Sequence, residues 1–140
     1  MVSLRFLLDT NAVSEILKPA ANSGVARKIR QYENRIGIAS VVWHELVFGW
    51  DRLPASRKKK EIEDYLFGVV KAEMPILPYD QAAAEWHAKE RVRLSAIGRT
   101  SPFQDGQIAA IAKVNDLVLV TANRAHFEPF EGLQIEDWRT

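Results

Sequence analysis

Cysteine is absent from this 140-residue chain. Disulfide staples and thiolate metal sites are excluded with it, and a reducing, cytoplasmic setting is expected. Long apolar runs are missing too. Nothing approaches the roughly 18 consecutive apolar residues of a membrane span, so no membrane partner is expected. The opening Met1-Val2-Ser3-Leu4-Arg5 lacks a charged region followed by an apolar one, so no secretion signal is expected either. His44, His87 and His126 stand far apart, without the close His spacing of a zinc site. There is no internal repeat, low-complexity tract or linker.

A surplus of one charge is also lacking, since 19 Lys+Arg oppose 18 Asp+Glu. The distribution is more telling. Residues 1–71 carry 12 basic and 8 acidic side chains, and residues 72–140 carry 7 and 10. The basic excess gathers at Arg27, Lys28 and Arg30 and at Arg57-Lys58-Lys59-Lys60. Such runs suit a nucleic-acid backbone or a solvated helix face. With 47% hydrophobic residues, residues 1–140 are expected to form one domain, burying roughly 68–70% of the unfolded surface.

The pattern of apolar runs predicts strands alternating with helices. Strands are expected at Leu4 to Leu8, Ile36 to Ala39, around Ile76-Leu77, at Leu117 to Thr121, and at Leu133 to Ile135. Helices are expected at 12–18, 25–33, 41–50 behind a Ser40 cap, 57–72, 81–97 behind an Asp80 cap, and 102–114 behind a Ser101 cap with Pro102 in the first turn. Gly98 suits the residue after the long helix. Such alternation implies βαβ units: an α/β fold with a mostly parallel five-stranded sheet between helical layers.

Three acids stand where packing residues would be expected. Asp9 ends the first strand, in Leu7-Leu8-Asp9-Thr10-Asn11. Asp105 has Ile108, Ala109 and Ala112 at helical spacing, and Glu45 has Val41, Val42, Phe48 and Gly49. Each alone has a plain reading: a helix cap at Asp9, a first-turn acid at Asp105, a rim residue at Glu45. Together they are placeable at one edge of the sheet, the edge where open α/β sheets take ligands. Clustered carboxylates need a cation, and Mg2+, with Mn2+ as a substitute, is the natural one. Asn123, just past the fourth strand, can ligate a metal, hold water, or simply shape a turn. Thr10, Asn11, Ser14 and Thr121 are candidates for orienting the acids.

These residues resemble the PIN-domain family, most closely its VapC-type toxins and their FitB-like branch. The motifs are Leu7-Leu8-Asp9-Thr10-Asn11 with Ser14-Glu15, Trp43-His44-Glu45-Leu46 with Gly49, and Leu77-Pro78-Tyr79-Asp80. Asp105 with Ile108-Ala109-Ala110-Ile111-Ala112, and Leu119-Val120-Thr121 with Asn123, His126 and Phe127, complete the set. The resemblance spans nearly the whole chain. It implies a three-layer PIN-like sandwich and a metal-dependent endoribonuclease, the toxin of a type II toxin–antitoxin pair. It further implies Asp9, Asp105 and Glu45 as metal ligands, with Asn123 where the family often has a fourth acid. Ala122 departs from the pattern as well. The implied partners are RNA as substrate, a small antitoxin, and a second copy of the chain in a homodimer, with heterotetramers or larger assemblies alongside the antitoxin.

An alternative of another class is a regulatory PIN module that acts chiefly by binding its antitoxin, with operator DNA held through that partner. A phosphatase on another α/β scaffold is a third reading. Asn11 counts against it by replacing the second acid of an Asp-x-Asp pair.

Overall fold

The structure is a computed structural model and describes residues 3–140; Met1 and Val2, part of the opening segment read above for a secretion signal, lie outside the described residues. Five parallel strands form one sheet in the order β3-β2-β1-β4-β5. They are β1 (Phe6–Leu8), β2 (Ile36–Ala39), β3 (Ile76–Leu77), β4 (Val118–Val120) and β5 (Ile135–Glu136). Leu8 lies beside Ile38 on one side and Val120 on the other. The three central strands are buried on both faces, as their near-continuous apolar sequences require. Phe6, Leu7 and Leu8 are at most 2% exposed, and burying each contributes about 1.5–3 kcal/mol.

The helices are α1 (Thr10–Ser14), α2 (Ser23–Gln31), α3 (Ser40–Asp51), α4 (Arg57–Tyr65), α5 (Lys71–Glu73), α6 (Gln81–Ala96), α7 (Phe103–Val114) and α8 (Arg124–Phe127). A single 3-10 turn, Glu15–Leu17, extends α1, and a π turn, Leu66–Val70, links α4 to α5. The expected helix over 57–72 is therefore continuous in path but not in hydrogen bonding. The wide turn buries Leu66 and Val70 and leaves Phe67 and Val69 outside, with the edges of Trp43 and Trp50 against Phe67.

Two caps differ from expectation. The chain passes from β2 into α3 with no loop, so Ala39 holds the cap position and Ser40 is already helical. Pro102 keeps an extended ψ of 140°, so α7 starts at Phe103 and Ser101 makes no cap bond. Asp80 caps α6 as expected, accepting from the Ala83 N–H at 3.0 Å. Gly98 adopts φ +71° after α6, a left-handed conformation that favours glycine.

The α6–α7 seam carries two buried polar side chains. Ala83, His87, Glu90 and Leu94 form the buried face of α6, against a face of α7 made mostly of Ala and Ile. Gly106 of α7 exists to admit His87, since a Cβ there would collide with the imidazole Nε2. Glu90 accepts two bonds from Arg93, at 2.9 and 2.8 Å, and one from the Glu131 N–H at 2.8 Å. Arg93 also donates to the Pro129 carbonyl at 2.7 Å, tying the 129–131 turn to α6. No helix of the described residues is long and apolar enough to cross a membrane.

Candidate active site

Every strand is parallel, so all carboxyl ends lie along one sheet edge. Asp9 follows β1 there, Thr121 follows β4, and Asp137 follows β5. Asp9 is 5% exposed. Its Oδ1 accepts the Ala12 N–H at 2.8 Å, which makes it the cap of α1. Its Oδ2 accepts the Thr121 hydroxyl at 2.6 Å. That hydroxyl oxygen in turn accepts the Asn123 N–H at 3.0 Å. Burial pushes the Asp9 carboxyl above its ordinary value of 3.8. The Thr121 and Ala12 bonds pull it back, and the negative charge of Asp137 pushes it up again.

Asp105 sits in the first turn of α7 with its side chain 20% exposed. Burial raises its carboxyl above 3.8; His126 lowers it, and the charge of Asp9 raises it. The two acids therefore lie in each other's field. His126 Nδ1 is 3.7 Å from Asp105 Oδ2. Sequence reasoning set this histidine aside, because the three histidines stand far apart without the close spacing of a metal site; in the structure it lies on the short helix α8. Asp137 was missed as well. Its signal is the one that marks Asp9, an acid directly after a strand, but β5 runs one residue beyond the expected Ile135. Asp137 is bound to Arg139 at 2.8 Å, which holds its carboxyl below the usual range.

Glu45, the third expected acid, shares no hydrogen bond or ion pair with Asp9 or Asp105 among the described residues. Glu45 lies on the flank of α3, beside the buried Val42 and Leu46, and its side chain is 38% exposed with His44 at 3.7 Å. Among the described residues, no three His, Asp or Glu side chains gather closely enough to hold a metal ion together. The reason is geometric: an apolar neighbour at i±3 or i±4 places a residue near the core stripe, and the stripe's edge is half exposed.

The expected orienting residues divide in the same way. Thr121 holds Asp9 directly. Ser14 instead turns its hydroxyl back to the Thr10 carbonyl at 3.0 Å, a local helix bond. Thr10 is half-buried and Asn11 exposed, and neither side chain bonds Asp9. Asn123 acts through its backbone N–H, and its side chain is exposed on the rim. The basic run of α4 is largely occupied as well. Lys58 donates to the Leu17 carbonyl and Lys59 to the Leu53 carbonyl, while Lys60 pairs with Glu63 and Asp64.

A parallel sheet between helical layers, with a buried carboxylate at its carboxyl edge and a second one within its field, defines a class of small acid-site α/β domains. Within that class the PIN-domain profile matches residues 6–130, and the chain belongs to the PIN-domain family, among its VapC-type members. It is 33% identical over 138 residues to the Shigella flexneri protein named tRNA(fMet)-specific endonuclease VapC, covering 96% of this chain and 98% of that one. Among solved structures it is similar to FitAB bound to the IR36 DNA fragment, with TM-score 0.86 and 25% identity over 96% of both chains. It is also similar to DNA-bound VapBC from Salmonella typhimurium, with TM-score 0.81 and 29% identity over 96% of this chain and 98% of that one.

Proposed function

We propose that this chain is the endoribonuclease toxin of a type II toxin–antitoxin pair, hydrolysing RNA phosphodiester bonds with Mg2+ held at Asp9 and Asp105. The observation that carries the reading is the pair itself: two carboxylates, one almost fully buried, both raised by burial, with the charge of Asp9 raising Asp105 further. Keeping such acids ionised costs energy that a cation offsets. The donors are hard oxygens, with no cysteine in the chain. A set of one or two carboxylates is what Mg2+ takes, since it retains water and accepts substrate phosphate oxygens. Mn2+ suits the same donors.

When bound, the ion would polarise the scissile phosphoryl group and supply a nucleophile at neutral pH. The chain's own residues do the positioning. Thr121 and the Ala12 N–H fix both oxygens of Asp9, and the first turn of α7 presents Asp105. His126 bears on the charge of Asp105. The exposed Asn123 side chain meets substrate at the rim, and Glu45 acts from the flank of α3. The relatives add direction: the Shigella protein's name supplies tRNA(fMet) as the first RNA to test. The FitAB and VapBC assemblies support an antitoxin partner and a multimeric, DNA-bound regulatory form. The binding-module alternative has no observation of its own in its favour.

The test is cleavage-site mapping on total RNA and on tRNA(fMet), with the chain purified free of antitoxin. Cuts bearing 5′-phosphate and 3′-hydroxyl ends are expected with Mg2+ and none with EDTA. Asp9→Asn should abolish them. Cleavage by Asp9→Asn at the wild-type rate, or cleavage untouched by EDTA, overturns the proposal.

A further inference from the structure

At the carboxyl end of α6 the α6–α7 seam opens into a cavity of about 730 Å3. Its wall holds Arg91, Arg99, Thr100 and Ser101, with His87 at its base, and no lining residue is acidic. Among the described residues neither guanidinium has a carboxylate within 4.0 Å. Phe103 is 51% exposed, with the Arg91 guanidinium 5.1 Å from its ring centroid and the His87 ring 4.7 Å away. His87 is itself 2% exposed. Its Nδ1 meets the Tyr79 hydroxyl at 2.8 Å, and its Nε2 has no hydrogen-bond partner among the described residues. The first-turn N–H groups of α7 have no side-chain cap.

This cavity reaches the start of α7, the helix that carries Asp105. Ser101, Pro102 and Gly106 line it, and Asp105 is the residue next to Gly106. Positive charge without acid, spare N–H donors and an exposed aromatic ring are the elements of a single-stranded nucleic-acid groove. The occupied lysines of α4 leave that role open. A second copy of the chain fits less well, because covering two guanidiniums that lack carboxylates is costly. We propose that the cavity is the subsite for the RNA strand flanking the scissile phosphate. Arg91 and Arg99 hold backbone phosphates, and Phe103 offers a face on which a base stacks. This rests on the ribonuclease reading above.

The experiment measures anisotropy of a fluorescein-labelled oligouridylate, about 20 nucleotides long to exceed one site. The protein carries Asp9→Asn, is in EDTA, and is titrated over a range of salt. Adding Arg91→Gln with Arg99→Gln should weaken binding roughly tenfold and reduce the salt slope by about 1.4, at about 0.7 per lost phosphate contact. Phe103→Ala should weaken it about tenfold while Phe103→Trp retains it. Unchanged affinity and slope overturn the subsite. So does a change in sedimented mass of the arginine variant, which would give this face to a second copy. Mg2+-dependent cleavage by the wild type, read in parallel, separates the two proposals. Cleavage with unaltered arginine-variant binding removes the subsite alone, whereas a wild type that neither cuts nor binds RNA removes both.

Discussion

Asp9→Asn should make the protein more stable at pH 7 while destroying its activity. The carboxylate is 5% exposed and its pKa is raised. A raised acid pKa means that the folded state holds its proton longer than the unfolded chain. Between 3.8 and the folded value, stability therefore falls as pH rises. Below 3.8 the penalty is absent; above the folded value it is present in full. An amide keeps the bond from the Ala12 N–H, worth about 1 kcal/mol as a helix cap. It gives up the charge-assisted bond from Thr121, of about 1.5–3 kcal/mol, but part of this returns when the amide donates to the same oxygen. It also removes the desolvation cost and the repulsion from Asp137 and Asp105. Because the carboxyl's net shift is upward, the relief exceeds the loss; at this size each increment of about 1 kcal/mol would read as about 2–4 °C in Tm.

The assay is thermal unfolding of wild type and Asp9→Asn in EDTA at pH 7 and near pH 3, then at pH 7 with Mg2+. The variant should melt higher at pH 7, and the gap should close near pH 3. Mg2+ should raise only the wild type, by about 2.7 kcal/mol at a hundred times its Kd. A variant that melts lower than wild type at pH 7 in EDTA would show that Thr121 and Ala12 overcompensate burial, and the case for a cation at this edge would lose its energetic basis.

Other changes separate the parts of the molecule. Thr121→Val removes the hydroxyl that holds Asp9 Oδ2 and should lower the RNA cleavage rate about 10–100-fold with the fold intact by circular dichroism; an unchanged rate would deny Thr121 its positioning role. Glu90→Gln should destabilise the fold by about 1–3 kcal/mol at pH 7 in urea unfolding, the loss tempered by Arg93 being 35% exposed. Arg93 holds the Glu90 carboxyl below its ordinary 4.5, so its stabilisation is full above that value and lost as pH falls through the folded one; a wild-type-to-variant gap that does not narrow as pH falls below 4.5 refutes the pairing. Gly106→Ala would gain helix propensity at an exposed site, but against His87 it should cost about 1–3 kcal/mol, and a stabilised variant in the same assay would overturn that packing.

The sheet was readable because its three central strands are buried on both faces and therefore written as short, continuous apolar runs. All five fall where those runs predict them, within a residue or two. The helix starts were less legible, for a specific reason. A Ser before a helical stretch signals a cap only if a loop precedes it, and at Ala39–Ser40 there is no loop. At Ser101, the extended Pro102 takes the cap position itself. The π turn at Leu66–Val70 is marked only by Gly68, and an isolated glycine inside a helical pattern is tolerated too often to locate such a turn.

The site was legible where chemistry and strand register coincide, and obscure where it depended on helix rotation. Asp9 needed only its place after β1. The structure shows the cap, since Oδ1 accepts the Ala12 N–H of α1 while Oδ2 meets Thr121. Asp105 followed from a helix buried on almost every side. Glu45 shows the limit. Val42 and Leu46 are the buried residues of α3, and Glu45 is one residue before Leu46, about 100° round the helix from it. A rotation of that size moves a carboxylate from the core stripe to its flank. Glu45→Gln should therefore reduce RNA cleavage by less than tenfold, far short of the loss in Asp9→Asn, and leave Mg2+-dependent stabilisation in place. Such a split is what a flank position predicts, because a group outside the ion's donor set alters substrate approach and not the cation's hold. Losses equal to those of Asp9→Asn in both readouts would instead put a third carboxylate on the ion.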